Sequence, residues 1–207
     1  MSIHPTRPTE QPNDLGPLIA LAAQGDERAW VDLVDLYARR VFAMARSRLH
    51  DDELAEEITQ SVFVTVAMKL NGNEGYAEMG RFEPWLFRIT MNRVRDLCRK
   101  RKRHATPTDP EHLNRHESKD EQDDAKETKQ AELGQLREVL DRLSDADREI
   151  IELRHHGQLS FKQIAELLGQ PVGTLLARHH RALKKMREQI EAMNQNTGSN
   201  GLPKEQA

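Results

Sequence analysis

Apolar side chains recur at helical spacing through two long stretches of the chain. In the first stretch they lie three or four residues apart in residues 30–49, 54–66 and 86–97. In the second they recur in the same way in residues 136–153 and 164–190. No stretch shows the sustained polar–apolar alternation of a half-buried strand. The pattern therefore predicts an all-α protein of two small helical domains.

The segments outside these stretches set the expected domain boundaries. Residues 1–14 are polar and rich in Pro and Thr, so we expect a disordered extension. Residues 15–104 should form a helical N-terminal domain, and residues 131–192 a helical C-terminal domain. Residues 105–130 are acidic and lack apolar periodicity, which predicts a flexible linker. Residues 193–207 are polar and contain Gly, which predicts a disordered tail.

The C-terminal stretch contains a helix-turn-helix pattern. Ser160 is placed to cap one helix, with Gln163 completing a capping box. Gly169 supplies a turn, and Pro171 opens a second helix. The polar face of this second helix carries Thr174, Arg178, Arg181, Lys184 and Lys185. A second helix of this kind enters the DNA major groove in helix-turn-helix proteins, although a basic helix face can also be simply solvated.

Charge is distributed unevenly along the chain. The net charge is only −3, but residues 88–103 carry eight basic side chains against one acid, while residues 109–132 are strongly acidic. One helix face in the basic segment presents Arg88, Asn92, Arg95, Arg99 and Lys102. Because adjacent guanidinium groups repel one another, this stripe favours contact with a polyanion such as a nucleic acid backbone over a bare solvated face.

Composition narrows the remaining functional classes. No apolar run approaches the roughly 20 residues of a membrane span, and no signal segment is recognisable, so we expect a cytoplasmic protein without membrane contact. A single cysteine, Cys98, permits no intramolecular disulfide. No nucleophile–base pattern, phosphate-binding Gly loop or metal-ligand spacing is present, so we expect no catalytic residue, cofactor or metal. His155, His156, His179 and His180 favour structural roles, because adjacent helical side chains point about 100° apart.

Three segments together resemble the extracytoplasmic-function (ECF) group of bacterial sigma factors, within the sigma-70 family. AEEITQSVF at 55–63 is similar to the polymerase-docking helix of that group. The segment from RFEPWLF to RKRKR at 81–103 is similar to its promoter-melting helix, and residues 136–188 are similar to its −35-reading domain. The three occur in the order and spacing of the family, and from the first to the last they span most of residues 15–190.

The resemblance implies a transcription initiation factor that joins core RNA polymerase, through its β′ clamp and β subunits, and directs it to promoter DNA. It implies that the acidic linker threads toward the RNA exit path, and it makes an anti-sigma factor a possible partner. The implied polymerase-docking residues are Glu53, Glu56, Glu57 and Gln60. The implied −10 and melting residues are Asn71 and Asn73, in a loop at 71–80 that takes a flipped base, with Arg88, Asn92, Arg95 and Arg99 on the strand backbones. The implied −35 residues are Thr174, Arg178, His180, Arg181 and Lys184.

The chain departs from the family pattern at the start of the recognition helix. Leu176 and Ala177 stand where the family usually has a basic residue and a serine that touch DNA. We therefore expect altered or weaker −35 recognition. Ser61 stands where the family commonly has an acid, so one docking charge is missing. The alternative hypothesis is a stand-alone helix-turn-helix regulator that does not join polymerase and uses its N-terminal domain for dimerisation or ligand sensing.

Overall fold

The computed structural model describes residues 15–71, 81–104 and 124–199, and all secondary structure within these ranges is α-helical. The all-α prediction is therefore confirmed. The helices are α1 (Gly16–Ala23), α2 (Glu27–Leu49), α3 (Asp52–Asn71), α4 (Phe82–His104), α5 (Asp124–Asp141), α6 (Asp145–His155), α7 (Phe161–Leu168) and α8 (Val172–Ser199). None of these helices is long and apolar enough to cross a membrane.

Short-range signals fix several helix ends as the sequence predicts. Asp26 caps α2 by accepting a hydrogen bond from the Ala29 amide at 2.8 Å. Ser160 and Gln163 form the reciprocal capping box of α7. Gly169 ends α7 with φ of 64°, the left-handed conformation that glycine adopts without steric cost. Each of these signals acts over a few residues, which is why periodicity and capping chemistry predict them.

Four expectations about boundaries need correction. Helix α5 begins at Asp124, inside the expected linker at 105–130, because the sequence AKETKQAEL consists mainly of strong helix formers. Helix α8 continues to Ser199, so the expected disordered tail at 193–207 begins too early; Met193 packs against a hydrophobic cluster and extends the helix. Pro171 precedes α8, and its carbonyl accepts from the Leu175 amide at 3.2 Å. Asn71 is the last residue of α3 and not a loop residue.

The hydrophobic core joins the two halves of the chain. Its larger cluster combines α1–α4 with side chains of the C-terminal half, including Ile150, Leu153, Leu159 and Ile164. A smaller cluster lies between α5, α6 and α8, and contains Val139, Leu140, Leu143, Ile151, Ala182 and Met186. Helix α6 therefore has two buried faces, one toward α8 and one toward the N-terminal helices. The sequence pattern predicts the apolar residues but not this direct packing of one half on the other.

Two histidines of different helices meet between α6 and α8. The Nε2 atoms of His155 and His179 lie 3.4 Å apart, and the edge of the Phe161 ring packs on His179 with centroids 5.2 Å apart. Burial lowers the pKa of both histidines, and the nearby Arg154 lowers both further. Within the described residues, no group of three or more His, Cys, Asp or Glu side chains is placed to hold a metal ion. The lowered pKa values favour the neutral form of both imidazoles near neutral pH.

The pair predicts a loss of stability in mild acid. The unfolded chain binds protons more tightly than these depressed histidines do, so the free energy of unfolding should decrease as the pH falls below about 6.5. Replacing His179 by Leu removes one such group and keeps an apolar contact for Phe161. Urea denaturation at about pH 7 and about pH 5 should show a smaller loss for His179→Leu than for the unaltered chain. If His180→Leu, which changes an exposed neighbour, reduced the loss of unfolding free energy by the same amount, this explanation would be contradicted.

Candidate polymerase and nucleic-acid interfaces

The acidic strip on α3 is fully accessible. Helix α3 buries Ala55, Ile58 and Val62 against the core, and this orientation turns its polar positions to solvent. The four predicted docking residues, Glu53, Glu56, Glu57 and Gln60, are all exposed. The contact described within this set is a 3.4 Å hydrogen bond from Gln60 Nε2 to Glu56 Oε1. The structure thus places the strip together on one surface of the N-terminal half.

The basic stripe on α4 has one part that is exposed and one part that contacts the C-terminal helices. Arg99 and Lys102 are exposed near the end of the helix, and Arg99 lies 3.8 Å from Asp96. Arg88 Nη2 instead donates to the Leu167 carbonyl of α7 at 2.9 Å, and Arg95 forms an ion pair with Glu149 of α6. The part of the stripe nearer the start of α4, with Arg88 and Arg95, therefore contacts the C-terminal helices.

Asn92 lies between the two occupied arginines of the stripe and remains exposed. It lines a small cavity of about 170 Å³, whose walls come from both halves of the chain: Arg88, Met91, Asn92, Arg95, Glu149, Leu167 and Leu168. Asn73 lies outside the described residues, and Asn71 is exposed at the end of α3. The predicted melting residues of α4 are thus gathered on one face, and part of that face borders the C-terminal half.

The tryptophans and Tyr37 support the N-terminal core. Tyr37 is buried, with its ring centroid 5.4 Å from that of Phe82. Trp30 packs edge-on against Phe63 at 6.4 Å, and Trp85 lies 5.7 Å from Phe82. These rings therefore serve the packing of α2, α3 and α4.

Helices α7 and α8 form the predicted helix-turn-helix, and its basic face is largely open. Thr174, His180, Arg181 and Lys184 are exposed. Arg178 is more constrained, because its Nη2 lies 3.0 Å from Asp147 Oδ1 and its Nη1 donates to Gln170 Oε1 at 3.4 Å. Burial raises the pKa of Asp147, but hydrogen bonds from Ser144 and Arg178 outweigh burial and hold the pKa below its usual value. Asp147 therefore favours its ionised form beside Arg178, one of the predicted DNA-reading residues.

The two unusual residues of the recognition helix lie on the accessible surface. Leu176 is 46% exposed, and Ala177 is also exposed. Their side chains are not part of the hydrophobic core. The buried residues of α8 are Leu175, Ala182 and Met186. The departure from the family pattern therefore falls on the surface that faces outward.

Cys98 has the environment of an unreactive thiol. Its side chain is partly buried on α4, and burial raises the pKa of the thiol although Arg48 and Arg148 oppose the shift. A raised pKa leaves little of the nucleophilic thiolate near neutral pH. Cys98 is therefore better suited to packing than to nucleophilic chemistry.

Sequence reasoning missed the charged residues that connect the halves. Glu152 has no exposed surface, and its carboxylate accepts from Arg48 Nε at 2.7 Å and from Arg148 Nε at 2.8 Å. The available signal was an acid between the buried positions Ile151 and Leu153, since a buried carboxylate needs a partner. That signal does not say where in the chain the partner lies.

Two family models match the chain in succession. The model described as Sigma-70 region 2 matches residues 33–104, and the model described as Sigma-70, region 4 matches residues 133–186. The first match covers α4 and most of α2, and includes all of α3. The second covers α6 and α7, the second half of α5 and the first half of α8.

Curated relatives are similar over most of the chain. The ECF RNA polymerase sigma factor SigE of Mycolicibacterium smegmatis is 28% identical over 183 residues, which are 88% of this chain and 70% of that protein. The ECF RNA polymerase sigma factor SigW of Bacillus subtilis is 27% identical over 174 residues, covering 81% and 91%. The RNA polymerase sigma factor NccH of Alcaligenes xylosoxydans xylosoxydans is 32% identical over 167 residues, covering 80% and 88%.

Solved structures share the fold. CnrH, in complex with the cytosolic domain of CnrY, has a TM-score of 0.63 at 25% identity and covers 85% of this chain and 96% of its own. RpoE, in complex with the anti-sigma factor NepR from Bartonella quintana, has a TM-score of 0.59 at 23% identity, covering 79% and 98%. With both conserved regions matched in order, the chain belongs to the extracytoplasmic-function group of sigma-70 family sigma factors, non-enzymatic initiation factors that bind core RNA polymerase and direct it to promoters.

Proposed function

We propose that the acidic strip of α3 is the main polymerase-docking surface of this sigma factor. The observation that carries the proposal is the shared exposure of Glu53, Glu56, Glu57 and Gln60. Three carboxylates on one helix face repel one another, and a basic surface on the polymerase β′ clamp would relieve that repulsion. Docking on the polymerase places the protein in the cytoplasm, with the chromosome.

Reversing charge on this strip should abolish polymerase binding. The variant Glu57→Lys with Gln60→Lys changes the net charge by +3 on exposed positions, so the fold should be retained while the strip becomes repulsive to a basic partner. We expect the unaltered chain to co-elute with cognate core RNA polymerase in size-exclusion chromatography and the double variant to elute alone. The matched control, Gln24→Lys with Asp35→Lys, makes the same charge change on exposed positions of the first two helices. Loss of binding in both double variants would show a net-charge effect instead.

The basic stripe of α4 is proposed to hold the separated strands of the −10 region. Arg88, Asn92, Arg95 and Arg99 lie on one helix face, and guanidinium groups at this spacing suit successive phosphates. The segment between α3 and α4, which includes Asn73 and lies outside the described residues, is proposed to take the flipped base, which offsets part of the cost of unstacking. Domain boundaries follow the same division, with promoter melting assigned to residues 15–104 and −35 reading to residues 131–192.

Arg99 gives the cleanest test of strand holding, because its side chain is exposed and its ion pair is with Asp96 of the same helix. Arg99→Glu should leave polymerase binding and closed-complex formation nearly unchanged and reduce strand opening at least about tenfold, since a phosphate contact formed on melting is replaced by repulsion. Permanganate reactivity of unpaired thymines on a mapped promoter measures opening, and gel shift measures recruitment. Arg39→Glu, which makes the same charge change on an exposed position of α2, is the control. Equal loss of recruitment and opening in Arg99→Glu would contradict the assigned role.

The exposed face of α8 is proposed to read the −35 element through Thr174, Arg178, His180, Arg181 and Lys184. Exposure of Leu176 and Ala177 on the same helix supports the interpretation that two contacts usual in the family are absent. An apolar side chain facing the phosphate backbone contributes no ionic contact, so the loss falls on affinity as well as on base reading.

Restoring the family residues should strengthen −35 binding. Leu176→Arg with Ala177→Ser adds one cation and one hydroxyl to an exposed surface and removes no core contact. The polymerase complex of this variant should bind a −35 duplex about tenfold more tightly, with a steeper salt dependence. Fluorescence anisotropy with the mapped element measures both. Lys162→Arg on α7 serves as a conservative control. Unchanged affinity and salt slope in the restored variant would refute this account of the departure.

An anti-sigma factor is a further proposed partner. The solved relative RpoE is held by the anti-sigma factor NepR, and CnrH is held by the cytosolic domain of CnrY. The exposed acidic strip of α3 is the surface whose coverage would block the polymerase most directly.

A further inference from the structure

We propose that Asp147 is a positioning residue for −35 recognition, which holds the guanidinium of Arg178 so that the free edge of that group reads one guanine. Asp147 lies in the first turn of α6, and Arg178 lies on α8. The proposal rests on the assignment of the exposed face of α8 to the −35 element made above. It adds a residue outside the recognition helix and a base type for Arg178 to read.

The first support is the edge of the guanidinium that Asp147 contacts. Arg178 Nε donates to Asp147 Oδ1 at 3.0 Å, and Arg178 Nη2 lies 3.0 Å from the same oxygen. A guanidinium is planar and has donors along more than one edge. Because the carboxylate takes the edge formed by Nε and Nη2, the end edge formed by Nη1 and Nη2 points away from it. Two parallel N–H groups of this kind match the O6 and N7 acceptors of guanine in the major groove.

The second support is that the carboxylate of Asp147 is itself anchored. Ser144 Oγ donates to Asp147 Oδ2 at 2.6 Å, and the Asp147 amide donates to Ser144 Oγ at 3.2 Å. Ser144 is the N-cap of α6, so these hydrogen bonds fix the carboxylate at the start of a helix. An arginine that is paired with a fixed carboxylate loses less side-chain entropy on binding DNA than an unpaired arginine does.

The third support is that the pair lies at the accessible face of the helix-turn-helix. The Arg178 side chain is 22% exposed, and Thr174 and Arg181, each about one turn away on α8, are exposed. Arg178 Nη1 also donates to Gln170 Oε1, in the turn between α7 and α8, at 3.4 Å. That distance is long for a hydrogen bond, so a base acceptor would compete with it readily. The guanidinium is therefore oriented by its neighbours without being enclosed by them.

The alternative role of the pair is a structural tie between α6 and α8. A tie would support the affinity for every DNA sequence to the same extent. A positioning residue acts on discrimination instead, since a less ordered Arg178 would prefer its base less strongly. Removing the Asp147 charge also takes an anion away from the DNA backbone, which raises the affinity for any duplex. The two roles therefore predict opposite changes in the affinity for unrelated DNA.

The test variant is Asp147→Asn, because the amide keeps the shape of the side chain and an oxygen for Ser144 while it removes the charge that pairs with Arg178. Asp145→Asn is the matched control. It makes the same charge change in the same turn of α6, and its carboxylate lies 3.3 Å from Arg48 of α2. Arg178→Ala removes the guanidinium, and the double variant of Asp147→Asn with Arg178→Ala completes a thermodynamic cycle.

The measurement is the affinity of each polymerase complex for the mapped −35 duplex, for duplexes with each base pair replaced in turn, and for a scrambled duplex, by fluorescence anisotropy. Arg178→Ala should relax discrimination at one G·C pair. Asp147→Asn should relax discrimination at the same pair about three- to tenfold, the cost of ordering one long side chain. Its affinity for the scrambled duplex should be unchanged or up to about threefold higher. The double variant should lose no more discrimination than Arg178→Ala, and Asp145→Asn should lose none.

A second measurement leaves Asp147 unaltered. Heteronuclear relaxation of the Arg178 Nε–H group in the free chain, assigned by its loss in Arg178→Ala, should report an ordered side chain. A mobile Nε–H group would overturn the proposal even if Asp147→Asn did not fold. Circular dichroism shows whether each variant keeps its helicity.

The outcomes separate this proposal from the assignment of α8. Equal weakening of all duplexes by Asp147→Asn would show a structural tie, and unchanged discrimination would show that Arg178 reads its base unaided. Either result overturns the proposal and leaves the −35 assignment intact. If Arg178→Ala relaxes discrimination only at an A·T pair, the assigned base is wrong and the proposal fails. If Arg178→Ala relaxes no position, Arg178 does not read the −35 element, and the proposal fails together with that assignment.

Discussion

The packing of this chain depends on one carboxylate that has no contact with solvent. Glu152 accepts hydrogen bonds from Arg48, Arg148 and Ser47, so it joins α6 to α2 across the two halves of the molecule. A buried carboxylate is costly unless its oxygens are satisfied, and losing one partner of such a pair typically costs about 3–5 kcal/mol. When the halves separate, water can replace Arg48 and Ser47. The same group that specifies the closed geometry therefore also allows it to open.

Most of the remaining surface chemistry follows from this placement. With α6 fixed against α2 and α7 against α4, Glu149 and the Leu167 carbonyl meet the arginines of the α4 stripe. The acidic strip of α3 lies elsewhere and remains accessible. The basic face of α8 is likewise largely exposed. The proposed polymerase-docking strip is thus open in this arrangement, whereas two arginines of the proposed strand-holding stripe are engaged by α6 and α7. This order of availability matches the order of initiation, in which the polymerase is bound before the DNA is opened.

Sequence reasoning succeeded wherever the determinant was local. The capping box depends on Ser160 and Gln163, three residues apart, and the turn depends on the conformational freedom of Gly169. Both can be predicted from the residue types at those positions. Amphipathic spacing likewise predicted which faces of α3 and α4 are polar. Boundaries failed where polarity was taken for disorder. Good helix formers start α5 at Asp124, and the packing of Met193 on a hydrophobic cluster extends α8 into the polar tail.

The contact between the two halves of the chain could not be predicted in the same way. Arg48 and Glu152 are 104 residues apart, and Arg88 meets a backbone carbonyl 79 residues away. Every residue has a backbone carbonyl, so the sequence does not indicate which carbonyl accepts from Arg88. The chain has 34 acidic residues, and the sequence does not indicate which of them pairs with a given arginine. The family resemblance supplied the functions of the exposed faces, since those depend on which residues are presented outward. The arrangement of the halves in the free chain had to come from the structure.

The most direct test of this account is the distance between α2 and α7 in the free chain and in the complex with core polymerase. Spin labels at Arg39→Cys and Lys162→Cys, both on exposed positions, with Cys98→Ser to remove the native thiol, would report that distance by double electron–electron resonance. The account predicts one short, narrow distribution for the free chain and a longer one after core polymerase and promoter DNA are added. A broad distribution in the free chain, or an unchanged short distance in the promoter complex, would contradict it.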